Sequence, residues 1–192
     1  MAEPFSLTCK PLTPSRWQDF EELFGPKGAC GGCWCMFWKL PNKDFRALAY
    51  DGNKAAQKSI VESGRAPGLL AYFGKAAVGW IALRPRAEYP RLARSRVLAP
   101  VDERPVWSIT CFFTHRDFRG KGVTVGLLRA AIEYVRKHRG KIVEGYPTEP
   151  KEGKMPAPFV YTGLASAFRE AGFKEVVRRS ETRPIFRYVI GG

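Results

Sequence analysis

The chain has 192 residues, 45% of them hydrophobic and 26% charged, the composition of a folded domain rather than a disordered chain. No apolar run of about 18 residues occurs. The N-terminal MAEPFSLTCKP lacks the basic start and long apolar stretch of a secretory signal, so a cytoplasmic protein is expected. The net charge of +14 is spread along the chain and attracts anions such as nucleic acid, anionic lipid or a polyphosphate, without choosing among them.

In chain order, residues 4–12 read as a short strand. Trp17, Phe20, Leu23 and Phe24 fall at helical spacing, with Thr13 or Ser15 as cap, Pro14 in the first turn and Gly25-Pro26 as stop. The cysteine segment CGGCWCMFW, residues 30–38, follows. Residues 42–64 predict one interrupted helix or two short ones, stopped at Gly64. Residues 67–85 predict a hairpin about Gly74-Lys75, and neither arm shows polar alternation, so both belong inside a sheet covered on two faces. Residues 86–104 are polar, basic and proline-punctuated, a long loop. VWSITCFFT, residues 106–114, is a buried strand, and residues 122–138 form a helix with Val125, Leu128, Ile132 and Val135 on one stripe. A strand over 141–147 stopped by Pro147, a loop over 149–158, a helix closed by Gly172 and a final hairpin over 174–190 complete the chain. The order predicts a single α/β domain over residues 1–192: a mixed sheet with helices on both faces.

The stretch that carries chemistry is FFTHRDFRGKGVTVGLL, where a buried strand ends, a basic turn follows and an amphipathic helix begins. Glycines in the turn let the backbone approach a ligand closely. The first N–H groups of the helix lack intrahelical partners and lie at its positive end, so strand, glycine turn and helix start form a phosphate cradle. Neither the GxxxxGK[ST] nor the GxGxxG spacing is present.

Here the sequence resembles the GCN5-related N-acetyltransferase (GNAT) superfamily, whose acyl-CoA pyrophosphate loop reads [QR]-x-x-G-x-[GA]. Residues 119–124 match at Arg119 and Gly122 and depart at Thr124. The resemblance extends over about residues 5–190 and is strongest over the acyl-CoA core at about 105–175. It implies a mostly antiparallel mixed sheet in a GNAT-like domain, with acetyl-CoA as cosubstrate and an amine as acceptor. It also implies that Arg119, Gly120, Lys121, Gly122, Val123 and Thr124 hold the pyrophosphate. Backbone groups of Phe112, Phe113 and Thr114 would then bind pantetheine and polarise the thioester carbonyl.

Transfer of an acyl group to an amine requires loss of a proton from the ammonium, and the departing thiolate can take one back. The family often places the acid five positions ahead of the GF phenylalanine. That position is Phe168 here, which carries no proton, so Tyr161 and Tyr146 are the substitutes. Glu144, a carboxylate in an otherwise apolar strand beside the expected thioester, is the candidate base. His115 and His138 are weaker candidates. The implied acceptor side includes Cys33, Trp34, Phe37 and Trp38, and the loop arginines Arg84, Arg86, Arg91, Arg94, Arg96 and Arg104 could pair with an acidic acceptor or simply be solvated.

C-x-x-C-x-C offers three ligands, and a zinc site needs four, so no metal is expected and the thiols read as buried or pocket-lining. Similar segments occur in a subgroup of these acetyltransferases. The rival reading is a non-enzymatic basic module that senses metal or redox state or binds nucleic acid. No nucleic-acid motif supports it and nucleic acid is not an expected partner, nor is a membrane; a homodimer is left open.

Overall fold

The computed structural model describes residues 6–151 and 160–191. Pro4 and Phe5 of the first predicted strand, and residues 152–158 of the predicted loop, lie outside the described residues. Among the described residues seven strands form one sheet: β1 (Thr8–Pro11), β2 (Gly68–Phe73), β3 (Ala76–Pro85), β4 (Trp107–Thr114), β5 (Ile142–Gly145), β6 (Lys174–Arg178) and β7 (Pro184–Val189). Their spatial order is β1-β2-β3-β4-β5-β7-β6. Every pairing is antiparallel except β4 with β5. Among the described residues five α-helices accompany the sheet: α1 (Trp17–Phe24), α2 (Asn42–Glu62), α3 (Pro90–Ala93), α4 (Val123–Lys137) and α5 (Ala165–Glu170).

The uninterrupted apolar runs of the hairpin are explained by burial on two faces. Leu69, Ala71, Ile81 and Leu83 pack with Phe112 against the α4 stripe of Val125, Leu128, Ile132 and Val135. Their strand neighbours Leu70, Tyr72, Trp80 and Ala82 pack on the other face against Trp17, Phe20, Leu23 and Phe24 of α1. Period-two alternation therefore sorts one hydrophobic sequence into two cores. Neither Thr13 nor Ser15 caps α1; their hydroxyls bond each other at 3.0 Å, and Pro14 starts a short 3-10 turn that feeds the helix.

The interruption in α2 falls at Ala49, whose φ of 47° and ψ of −146° break the helix. The cysteine segment docks against the break: the Asn53 side-chain amide donates to the Gly32 carbonyl at 3.1 Å, and Gly32 abuts the Tyr50 ring. The segment itself is tightly coiled, with positive φ at Ala29, Trp34 and Cys35. Within the long loop expected over 86–104 the structure forms α3, a single turn started by Pro90.

β4 and β5 share only three rungs, Trp107 with Val143, Ser108 with Glu144 and Ile109 with Gly145, after which the strands part. Gly145, at the last rung, lies against the Phe168 ring, and a Cβ there would strike Cε1 and Cζ of that fully buried side chain. Gly145→Ala is expected to lower stability by about 1–3 kcal/mol through overpacking, read from urea denaturation; an unchanged midpoint would contradict the close approach.

Candidate active site

The turn before α4 is built to receive an anion. His115 opens a short 3-10 turn over Arg116–Phe118, its Nδ1 accepting from the Asp117 N–H at 3.4 Å. Gly120 and Gly122 follow with φ of 75° and 76°, and Gly122 caps α4 in the left-handed conformation. Nothing lies within 4 Å of where a Cβ would stand on either glycine, and no acidic residue occupies the first turn of α4. Val123 turns its side chain into the core, where Gly79 of β3 lets it sit close, so it can offer only backbone to a ligand. Arg119 and Lys121 are exposed; Arg119 Nε donates to the Thr114 carbonyl at 3.3 Å, and Lys121 lies over the Phe118 ring. The cradle therefore has open space, unpaired N–H groups and cations at one helix start.

The gap between the parted strands opens after the Ile109–Gly145 rung, along the part of β4 that leads to this cradle. The segment 160–164 enters it. The Phe112 N–H donates to the Tyr161 carbonyl at 2.6 Å, and Thr148 bridges to Leu164 across the same gap. Of the three residues expected to present backbone to the thioester, Phe112 thus has its N–H engaged. Phe113 pairs with Trp80 and turns its backbone to β3, and its ring to Phe24, so it does not face the gap. Strand alternation points the Thr114 backbone the same way as that of Phe112, into the gap.

The segment also delivers Tyr161 to the cysteine side. Its ring meets Phe37 edge-on at 6.3 Å, and the Trp38 indole N–H approaches its oxygen without completing an ordinary hydrogen bond. Burial raises the Tyr161 proton affinity, the nearby Arg183 charge opposing. Cys33, Phe37 and Trp38 are half-buried here, as expected for a wall. Trp34 is not part of it. Its side chain is 4% exposed and stacks with Phe24 at 5.8 Å and Trp17 at 6.5 Å beneath α1. The odd turn geometry at Trp34 and Cys35 sends neighbouring aromatic residues to opposite sides, which no period-two or helical reading anticipates.

Behind the wall lie the thiols. Trp80 Nε1 donates to Cys35 Sγ at 3.3 Å. A hydrogen bond from Cys111 of β4, with the Lys39 charge and the Trp80 N–H, lowers the Cys35 pKa against its burial, while the same bond and burial push Cys111 up. Burial raises Cys33 to about 11 and lowers Lys39, which donates to Gln57 at 2.9 Å, to about 8. Among the described residues, no three of His, Cys, Asp and Glu come together as a metal-holding group.

Glu144 and Tyr146 are somewhere else. Glu144 is fully buried; one carboxylate oxygen accepts from Arg86 at 3.1 Å and Tyr146 Oη at 2.7 Å, the other from Arg187 Nε at 2.7 Å. Tyr146 Oη also bonds Ser108 at 2.7 Å and Arg86 at 2.6 Å, and burial with the Glu144 charge raises its proton affinity. Arg187 reaches on to Asp102, and Arg86 to the carbonyls of Leu92 and Leu98. With all its oxygens engaged and no exposure, this carboxylate is placed to hold the long loop against the sheet rather than to take a proton from a substrate. The mate was visible in the sequence: Arg187 is the one charge inside the apolar strand PIFRYV. Phe168 is packed among Phe112, Phe173 and Phe186 and carries no proton to give.

A model of the Acetyltransferase (GNAT) family matches residues 34–148. Among solved structures, an acetyltransferase of the GNAT family from Listeria monocytogenes superposes with a TM-score of 0.57 at 9% identity, over 99% of this chain and 98% of that one. One from Streptococcus agalactiae gives 0.56 at 9%, over 97% and 96%. The PaiA N-acetyltransferase from Thermoplasma acidophilum, solved in complex with coenzyme A, gives 0.52 at 11%, over 96% and 99%. No curated protein matches the sequence.

Two substitutions separate scaffold from chemistry at Glu144. Glu144→Ala leaves Arg86 without a carboxylate and Arg187 with Asp102 alone, and is expected to cost about 3–5 kcal/mol in chemical denaturation. Glu144→Gln, assayed well below its melting temperature, is expected to keep kcat within about tenfold. Loss of a general base would instead cut it by about 10²–10⁴.

Proposed function

Because this chain belongs to the Acetyltransferase (GNAT) family, we propose that it is an acetyl-CoA-dependent N-acetyltransferase acting on an amine of a small molecule or peptide. The observation that carries the reading is the conjunction at one gap. An open glycine turn and helix start lie at one end, a parting of two parallel strands in the middle, and an aromatic and thiol wall with Tyr161 at the other.

In this reading the pyrophosphate rests on the backbone from Gly120 to Thr124 at the positive end of α4, with Arg119 and Lys121 supplying charge. The Thr124 departure from the family pattern costs little because the contact there is made by backbone. Pantetheine runs into the gap along β4, where the Thr114 N–H is the available partner, its carbonyl being held by Arg119. The acceptor ammonium lies against Cys33, Phe37 and Trp38 and loses one proton to water; the free amine forms the new C–N bond, and the adduct nitrogen releases its second proton to solvent as the C–S bond breaks. Tyr161, kept protonated by burial, gives its proton to the departing thiolate and recovers one from solvent. Tyr146 is removed from this role by its place in the Glu144 network. The cysteine segment is the subgroup trait in this account: Trp34 and Cys35 anchor it in the core so that Cys33, Phe37 and Trp38 can face the amine. The rival basic-module reading gains no support, since the family's own match spans the cradle and both strands of the gap.

Isothermal titration tests the donor half. Acetyl-CoA is expected to bind at micromolar concentrations, and joint replacement of Arg119 by Ala and Gly122 by Val to weaken it by about 100-fold or more, from the loss of charge-assisted bonds and the left-handed cap. Absence of binding by the wild type would end the proposal. For the acid, Tyr161→Phe is expected to lower kcat by about 10²-fold with acetyl-CoA affinity unchanged, followed by thiol release over an amine panel.

A further inference from the structure

We propose that the acceptor carries an anionic group, a carboxylate or a phosphate, beside its amine, and that Arg91 is the specificity-determining residue that receives it. The inference rests on the acyl-transfer reading of the gap and adds the chemical class of the acceptor.

Arg91 differs from the other arginines of its loop in being held without being satisfied. Arg84 is paired with Glu88 through three hydrogen bonds, Arg86 is spent on the Glu144 network, and Arg104 is closed onto Asp102. Arg91 donates Nε to the Leu40 carbonyl at 2.7 Å, and its guanidinium plane lies over the Phe37 ring at 4.0 Å and the Phe45 ring at 5.1 Å. Those contacts fix the plane and leave the edge formed by the two terminal nitrogens. Nη2 on that edge is withdrawn from water and has no hydrogen-bond partner among the described residues. A buried guanidinium nitrogen without an acceptor is costly, and the geometry that removes the cost is an oxyanion laid edge-on across the two nitrogens.

The surroundings indicate which way such an anion would point. Burial lowers the Arg91 proton affinity, and the Arg46 charge lowers it further. Tyr161 in turn feels Arg183 from its other side. Among the described residues, the charges that act most on Arg91 and Tyr161 include the guanidinium groups of Arg46 and Arg183, and no carboxylate is among them. A simple cationic amine is repelled by such a field. A molecule with an anion on Arg91 enters it, and its ammonium, beside positive charge, gives up a proton more readily. That supplies the deprotonation for which Glu144 is unavailable.

The test compares matched acceptors at saturating acetyl-CoA. One set is amino acids against their carboxamides; the other is aminoethyl phosphate against aminoethanol. The two sets distinguish a carboxylate from a phosphate as the natural anion. Wild type is expected to prefer the anionic member in at least one set by roughly 10- to 100-fold in kcat/KM, carried mainly by KM. Arg91→Gln is expected to erase that ratio and Arg91→Lys, which keeps the charge and loses the fork, to retain part of it. A structural role for Arg91 would lower both members alike and leave the ratio intact, so a ratio that survives Arg91→Gln overturns the inference. Turnover of both members equally, of the neutral ones alone, or of none overturns it while titration still shows acetyl-CoA bound. Failure to bind acetyl-CoA removes the parent reading and this one with it.

Discussion

The architecture depends on a buried charge cluster at the root of the gap. Glu144 on β5 is out of water, and an unpaired carboxylate there would cost several kcal/mol. It is tolerable because Arg86 arrives from the long loop, Arg187 from β7 and Tyr146 from its own chain, each with a hydrogen bond. The cluster ties three distant parts of the sequence to the second of the three β4–β5 rungs. Past it the strands have only one more rung before they part, so the same contacts that secure the sheet also fix where the gap begins.

Much of this was legible from the chain alone. The two-sided burial of the hairpin follows from its unbroken apolar runs, the broken helix from the weak middle of residues 42–62, and the cradle from Arg119 to Gly122 between a strand and a helix. What was not legible depends on partners far away in sequence. A carboxylate in an apolar strand has the same local signature whether it is a base or half of a salt bridge, and the deciding residue, Arg86, lies 58 positions off. Trp34 and Phe37 look equivalent in CGGCWCMFW; only the left-handed turn at Trp34 and Cys35 sends one to the core and the other to the wall. The engagement of the Phe112 N–H by Tyr161 was equally invisible, since it requires 160–164 to fold back beside β4.

The net charge of +14 also takes on a different meaning. Arg86, Arg179 and Arg187 spend their donors on loop carbonyls, on the buried Glu144 and on Asp102, and work as mortar between the long loop and the sheet. Charge counted from composition overstates what is free to meet a ligand. The cations with room to do so include Arg119 and Lys121 beside the cradle and Arg91 near Tyr161.

The left-handed backbone at Ala29, Trp34, Cys35 and Ala49 has a bearing on how a substrate is told apart from its relatives. None of these residues is glycine, and each such conformation costs on the order of 1–3 kcal/mol unless the surroundings over-determine it. Here they do, through the Trp34 stack, the Trp80 bond to Cys35 and the Asn53 bond to Gly32. A wall held this way is shaped before anything binds. Its selection among amines would then be by rigid fit, with little entropy spent on closing around the guest and little tolerance for one of the wrong outline.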